Sequence, residues 1–340
     1  MSAIKTWKLI AKSLEQHIPV LLLYVLESKG SSPGRQGFFM AVNTNEEMEG
    51  SIGGGIMEHK FVEKAKNSLE LLLLPRPADR NDGGPGSEIR KQVHDKSAAK
   101  DQSGMICSGE QTILFYPVKE RDLPVIRNII SSLEENKNGM LVLSPEGIQF
   151  DFSVPEKDFE YSFQSEDAWL YKEKTGHKNQ LFIIGGGHCA LALSQLIRSM
   201  DFYIRVYDER KDLKTMLENE TAHEKYFVND YAVLKDVIPS GQNNYVVIMT
   251  TGYRTDDIAL RALLEKNFKY LGLLGSKSKI ENMLEDYRRE GIKDELLQRI
   301  YTPIGLPINS QTPEEIAVSI AAEIIGVKNG SSKIQEPGTK

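Results

Sequence analysis

The sequence predicts an α/β protein in two parts: a mixed α/β N-terminal domain and a C-terminal Rossmann-like domain with a parallel sheet. Three observations predict it. From Gln180 onward, short apolar strands alternate with helical patterns. A turn with the spacing G-x-G-x-x-A (Gly185, Gly187, Ala190) stands between the first of these strands and its helix. Before residue 153 the pattern is instead one of hairpins and single helices. Strands that are apolar throughout and alternate with helices argue for a parallel sheet covered on both faces. A chain of 340 residues is long for one core. The expected division is a first domain at 1–153, a charged linker at 154–179, a second domain at 180–330 and a tail at 331–340.

In the first half, Ile4–Gln16 has a helical period and Val20–Ser28 is a β-rich run ending in the turn cluster KGSSPG. GFFMAVN, beginning at Gly37, reads as the returning strand. GSIGGG at 50–55 leads into a helical pattern from Ile56 to Leu72. Residues 75–104 are polar and broken by Gly and Pro, and are expected to form a long loop. A strand at Gln111–Pro117, a helix at 123–135 and a hairpin in MLVLSPEGIQF follow. In the second half, QLFIIG, FYIRVYD, NYVVIMT and FKYLGLLG read as strands separated by helices. The last helix has an explicit start. Thr312 at the N-cap, Pro313 at N1 and Glu315 at N3 make a capping box.

Composition excludes several classes. The net charge of −6 gives no global attraction to nucleic acid or to an anionic membrane. No run approaches the roughly 18 apolar residues of a membrane span, and the N-terminus has no signal-peptide core. Two cysteines, Cys107 and Cys189, make neither a disulfide framework nor a four-cysteine iron–sulfur site. A cytoplasmic protein with reduced thiols is expected. The histidines His17, His59, His94, His177, His188 and His223 show no metal-ligand spacing.

The G-x-G-x-x-A turn is the strongest local signal. Gly185 permits the tight turn, Gly187 lets backbone approach a pyrophosphate, and Ala190 lets helix pack on strand. Asp208 ends the next strand where a ribose ligand is expected. Arg210 reads either as a 2′-phosphate partner or as a solvated arginine. His188 reads either as a contact to phosphate or reacting group, or as a polar residue of the first helical turn. Cys189 reads as a small buried side chain rather than a reactive thiol.

GSSPGRQGFFMAVN (30–43), GSIGGGIMEHKFVEKA (50–65) and GMICSGEQTILFYP (104–117) carry a resemblance, joined in order by GGGHCALAL, YIRVYDER, TTGYRTDDIAL, YLGLLGSKSK and TPIGLPINSQTPEEIAVSIAAEII. Together they resemble the XdhC/CoxI family, accessory proteins of xanthine dehydrogenase and related molybdenum hydroxylases. The resemblance implies an N-terminal XdhC/CoxI domain followed by a Rossmann domain. It implies a maturation factor that binds molybdenum cofactor (molybdopterin), supports its sulfuration by a cysteine desulfurase and inserts it into the hydroxylase, with no turnover of its own. It also implies a homodimer.

The residues suit such cargo, which is anionic and carries a phosphate. Gly53, Gly54 and Gly55 before a helix can form an N–H nest, or simply a close backbone approach. Arg35 is a candidate phosphate partner or a surface charge. Cys107 matches the family cysteine and is the candidate molybdenum contact, or an unreactive small residue. Glu58 matches the glutamate that closes the family's GSIGGG-x-x-E pattern and ranks above His59. The chain has Ser108 where the family has glycine, and Tyr253 where it has histidine. The Rossmann turn leaves open NAD(P), a dinucleotide form of the cofactor, or no ligand. An NAD(P)-dependent oxidoreductase is the alternative function, and a docking scaffold without cargo is a third.

Overall fold

The computed structural model describes residues 2–73, 87–93 and 109–330. The chain forms two compact units, Met1–Gly176 and His177–Lys340.

In the N-terminal unit, α1 (Ser2–Glu15) precedes β1 (Val20–Gly30), β2 (Phe39–Asn43) and β3 (Met48–Gly50), and then α2 (Gly55–Leu73). Next come β4 (Glu88–Val93), β5 (Gly109–Pro117) and α3 (Leu123–Glu134). β6 (Gly139–Ser144), β7 (Gly147–Asp151), β8 (Phe159–Ser165) and β9 (Ala168–Thr175) complete the unit. The strands form two antiparallel sheets, ordered β3-β2-β1-β5-β4 and β7-β6-β9-β8.

The run VLLLYVL explains why β1 is central. Successive side chains of a strand point to opposite faces, so both faces of β1 are apolar. Leu21, Leu23 and Val25 pack with Met57, Phe61, Ala65 and Leu69 of α2, which recur every fourth residue. Leu22, Tyr24 and Leu26 pack with Trp7 and Ile10 of α1, Ile126 and Ile129 of α3, and Trp169 and Tyr171 of the second sheet.

Two expectations are corrected in this unit. Residues 88–93, expected within a long loop, form β4 on the edge of the first sheet, with Ile89 opposite Leu114 and packed on the core. Residues 154–179, expected as a linker, contain β8 and β9. Phe159, Tyr161 and Phe163 alternate with polar residues there, as an edge strand requires. The compact units meet at Gly176/His177.

The C-terminal unit runs β10 (Asn179–Ile184), α4 (His188–Ile197), β11 (Phe202–Asp208), α5 (Lys214–Leu217), β12 (Glu224–Phe227) and α6 (Leu234–Val237). It continues with β13 (Gly241–Ile248), α7 (Tyr253–Leu263), β14 (Phe268–Leu273), α8 (Lys277–Arg289), α9 (Asp294–Leu297), β15 (Ile300–Tyr301) and α10 (Pro313–Lys328). Its strands are all parallel, in the order β12-β11-β10-β13-β14-β15. Alternation again divides the core. Leu181, Ile183, Val206 and Val247 face α4 and α10, while Phe182, Ile184, Val246 and Ile248 face α7 and α8. Strand order reverses between β10 and β13, so the crevice beyond their carboxyl ends is where such folds bind ligands. The capping box of α10 forms as the sequence predicts, with the Glu315 N–H donating to Thr312 and the Thr312 N–H donating to Glu315.

Candidate functional site

In the N-terminal unit, two loops, one after β1 and one before α2, meet at the start of β5. Gly30 pairs with Gly109 across the two strands. A Cβ on Gly109 would lie 2.6 Å from the Ser31 carbonyl carbon, and one on Gly53 would lie 2.4 Å from the Gly34 nitrogen. Buried Gln111 joins the loops, its side-chain amide donating to Gly34 O (2.9 Å) and Ile52 O (3.2 Å). Gln111 had no sequence signal beyond lying in a strand. Its role appears only when the loops are seen to converge.

Gly53, Gly54 and Gly55 all have positive φ (+126°, +74° and +72°), a run that only glycine adopts without strain. They differ in surroundings. Gly53 is wedged against the 33–34 backbone, whereas Cβ atoms on Gly54 and Gly55 would meet nothing within 4 Å. Glu58 holds this turn from inside α2. One carboxylate oxygen accepts from the Ser51 hydroxyl (2.6 Å), Ile52 N–H (2.9 Å) and Gly54 N–H (3.0 Å). The Gly53 N–H donates to Ser51 Oγ (3.1 Å). Part of the expected N–H nest is therefore satisfied internally, and the open side lies over Gly54 and Gly55. Exposed Arg35 donates to Gly30 O (3.0 Å), within its own turn. Cys107 lies outside the described residues, two positions before Gly109. His59 is exposed on α2.

The second turn is built differently. Gly185 has φ +102°, and its Cβ would lie 2.3 Å from the Met249 carbonyl oxygen, so the turn fits against the end of β13 only as glycine. Gly187 is the N-cap of α4, and a Cβ there would meet nothing within 4 Å. Exposed His188 opens the helix. Asp208, fully buried, bonds across the turn. One oxygen accepts from Gly186 N–H (2.7 Å) and Arg210 Nη2 (2.7 Å). The other accepts from Arg210 N–H (2.8 Å) and Nε (2.9 Å). Burial alone would raise the Asp208 pKa, but the hydrogen bonds from Arg210 and Gly186, with the guanidinium charge, bring it below its ordinary value. Asp208 thus has protein donors on both oxygens, and Arg210, although exposed, is its ion-pair partner. Cys189 is partly buried, and burial followed by the Glu314 charge pushes its thiol up, which disfavours the reactive thiolate.

A second buried acid stands at the carboxyl end of β13. Asp256 accepts from the Thr250 N–H (3.0 Å), the Thr250 hydroxyl (2.5 Å) and the Lys279 ammonium. Its pairing with Lys279, 23 residues away, has no local sequence signature. Tyr253 begins α7, and its hydroxyl donates to Asp286 (3.0 Å). Among the described residues no three His, Cys, Asp or Glu side chains are grouped to hold a metal ion. No helix among them is long and apolar enough to cross a membrane.

Comparisons with known proteins agree with this two-part architecture. A family model described as the XdhC Rossmann domain matches residues 181–324. One described as the XdhC and CoxI family matches residues 13–71. The uncharacterized protein YqeB of Escherichia coli (strain K12) is 27% identical over 327 residues, which cover 94% of this chain and 46% of that protein. A protein of Bacillus subtilis (strain 168) described as a probable xanthine dehydrogenase subunit is 27% identical over 156 residues, covering 46% of this chain and 45% of that protein. The chain spans about half the length of the curated relatives it matches. A crystal structure described as a xanthine dehydrogenase from Bacillus halodurans superposes with a TM-score of 0.68 at 22% identity, covering 99% of this chain and 98% of that one, a likeness of fold. With both domain models matched in order along the sequence, the chain belongs to the XdhC/CoxI family.

Proposed function

We propose that this chain is an accessory protein of xanthine dehydrogenase-type molybdenum hydroxylases, holding molybdenum cofactor as cargo and delivering it to the enzyme. Family membership and the relative described as a probable xanthine dehydrogenase subunit support the accessory role. The observation that carries the cargo reading is the open side of the first turn. Gly54 and Gly55 are left-handed, have free space where side chains would be, and lead into a helix of 19 residues. A helix N-terminus with backbone exposed in this way suits an anionic group such as the cofactor's phosphate.

In this reading Gly55 presents its N–H to the phosphate, Gly54, whose N–H is held by Glu58, leaves the space the phosphate fills, and Glu58 keeps the turn in shape. Gly53 seats the turn on the 33–34 loop. Arg35, one of whose guanidinium nitrogens is tied to Gly30, turns its remaining donors to the anion. Cys107 provides the sulfur contact to molybdenum. The chain performs no turnover. A cysteine desulfurase acts on the bound cofactor, the accessory works as a homodimer, and the exchange takes place in the cytoplasm. The Rossmann unit takes a secondary part, because Asp208, the acid that would hold a ribose, is already engaged by Gly186 and Arg210. That engagement also weighs against an NAD(P)-dependent oxidoreductase.

Anaerobic ultrafiltration with molybdopterin, read by pterin fluorescence after oxidation, tests this for the wild type and Cys107→Ala. Stoichiometric retention that weakens in Cys107→Ala is expected. Retention of NADH with no molybdopterin bound by either protein would favour the oxidoreductase.

A further inference from the structure

The amino edge of the C-terminal sheet holds a cluster that neither glycine turn uses. β12 is the edge strand there, and its register on β11 starts with Glu224 opposite Arg205. One residue earlier, His223 closes a reciprocal pair of hydrogen bonds. Its backbone N–H donates to Ile204 O (2.9 Å), and the Ile204 N–H donates to its ring Nδ1 (2.9 Å). A side-chain nitrogen therefore fills the place that a carbonyl of the partner strand takes in a regular parallel ladder. At the far end of the strand, the Val228 N–H donates to Asp208 O (3.0 Å).

The half-buried His223 ring stacks on Tyr203, with centroids 4.4 Å apart, and meets the His177 ring edge-on at 4.6 Å. The Arg198 guanidinium, from the end of α4, stands against Nε2. Both ring nitrogens thus face N–H donors. A neutral imidazole can accept through one nitrogen, whereas an imidazolium carries a proton on each and accepts through neither. Arg205 of β11 and Glu224 of β12 also act on the ring. Glu224, the carboxylate that would steady a charged ring, is already engaged by Arg205, the Tyr203 hydroxyl (3.1 Å) and the Tyr226 hydroxyl (2.8 Å). Burial first, then the Arg198 and His177 charges, lower the His223 pKa to about 3. Burial also lowers the pKa of His177, against the pull of Asp201.

We infer that His223 is an acid-sensitive clasp on the edge of the C-terminal sheet: a proton taken up at Nδ1 breaks the bond from Ile204 and releases β12 from β11. Its folded-state pKa lies below the ordinary 6.5, so the clasp is complete above about 6.5 and weakens as pH falls toward the folded-state value. With about 3 in the closed form and 6.5 in the released one, the equilibrium constant for opening rises about 25-fold between pH 7 and pH 5. β12 runs from the clasp to the Asp208 carbonyl, so its release uncovers the edge of β11 as far as the second turn. The clasp lies within the C-terminal unit and does not rest on the carrier reading.

Hydrogen exchange of the full chain, read at single amides by NMR and corrected for intrinsic rates, tests this. In the wild type the Ile204 amide is expected to lose about 25-fold in protection from pH 7 to pH 5. The Val247 amide, in the middle of the sheet, is expected to stay better protected than Ile204 at both pH values, which separates release of the edge from unfolding. His223→Asn sets an amide oxygen where Nδ1 stands and takes up no proton, so its Ile204 protection is expected to be equal at pH 7 and pH 5. Should His223→Asn fail to fold, the wild-type ring resonances decide: His223 is expected to show no titration step near 6.5 while Ile204 is protected. Equal Ile204 protection at the two pH values in the wild type, a loss that persists in His223→Asn, Ile204 and Val247 exchanging together, or a ring that titrates near 6.5 with Ile204 still protected would each overturn the inference.

Discussion

The chain places a glycine-rich turn before a helix twice, at residues 50–55 and 185–187, and secures the two turns in different ways. At the first, the securing acid is Glu58 in the helix that the turn begins, and it gathers N–H groups of the turn itself. At the second, Asp208 arrives from the end of the next strand and shares its oxygens between Gly186 and Arg210. In each turn one glycine is needed for close approach, Gly53 against the 33–34 loop and Gly185 against Met249. In each, other positions face open space: Gly54 and Gly55 in the first, Gly187 in the second. A glycine pattern therefore mixes three requirements: backbone conformation, contact within the chain, and room for something else. Only the third bears on a ligand.

Substitutions can separate these requirements. The largest effects belong to Gly185→Ala and Gly53→Ala, where positive φ combines with backbone atoms at 2.3 Å and 2.4 Å from the new Cβ. Each should cost about 3 kcal/mol or more, read as a fall in the unfolding midpoint. Next comes Asp208→Ala, which strands a buried N–H and an arginine. Because Arg210 is 43% exposed, the ion pair is partly screened, and a loss of about 2 kcal/mol is expected.

Asp208 also gives a pH signature. Its folded-state pKa lies below its ordinary 3.8, so its stabilisation is complete above that value. It drains away as pH falls from 3.8 toward the folded-state value. Acid titration of unfolding should show a shallower loss in Asp208→Asn than in the wild type over that range. Glu58→Ala, which leaves the Ile52 and Gly54 N–H groups without their acceptor at a partly exposed site, should cost about 1 kcal/mol. Smallest of all is Gly187→Ala, at φ −69° with nothing within 4 Å, where a midpoint within error of the wild type is expected. A large loss there would mean that Gly187 is enclosed as Gly185 is.

Much of the fold was legible in the sequence because burial and period agree. β1, β10 and β13 are apolar on both faces, and α10 announces its start with Thr312, Pro313 and Glu315. What escaped was at edges. β4 (EIRKQV) and β8 (FEYSFQS) have one face packed and one exposed, and their charges hid an alternation that is plain once Ile89 and Phe159 are seen on the core. β15 spans only Ile300–Tyr301, too short for any periodic signal.

The site divides similarly. The positions of Gly53, Gly54, Gly55 and Glu58 in one turn, and of Gly185, Gly187 and Asp208 in another, follow from local order. That Asp208 is already engaged does not, since it depends on Arg210 folding back. Gln111 and the Asp256–Lys279 pair depend on contacts between segments 23 to 77 residues apart.

The cargo reading places the phosphate of molybdopterin at the first turn and not the second, and one comparison tests this directly. Asparagine tolerates left-handed φ better than other side chains, so Gly54→Asn fills the open space over the first turn at little cost. Gly187→Asn does the same at the second. Anaerobic molybdopterin retention should be lost in Gly54→Asn and kept in Gly187→Asn, with both proteins folded. Retention kept in Gly54→Asn, or lost only in Gly187→Asn, would contradict it.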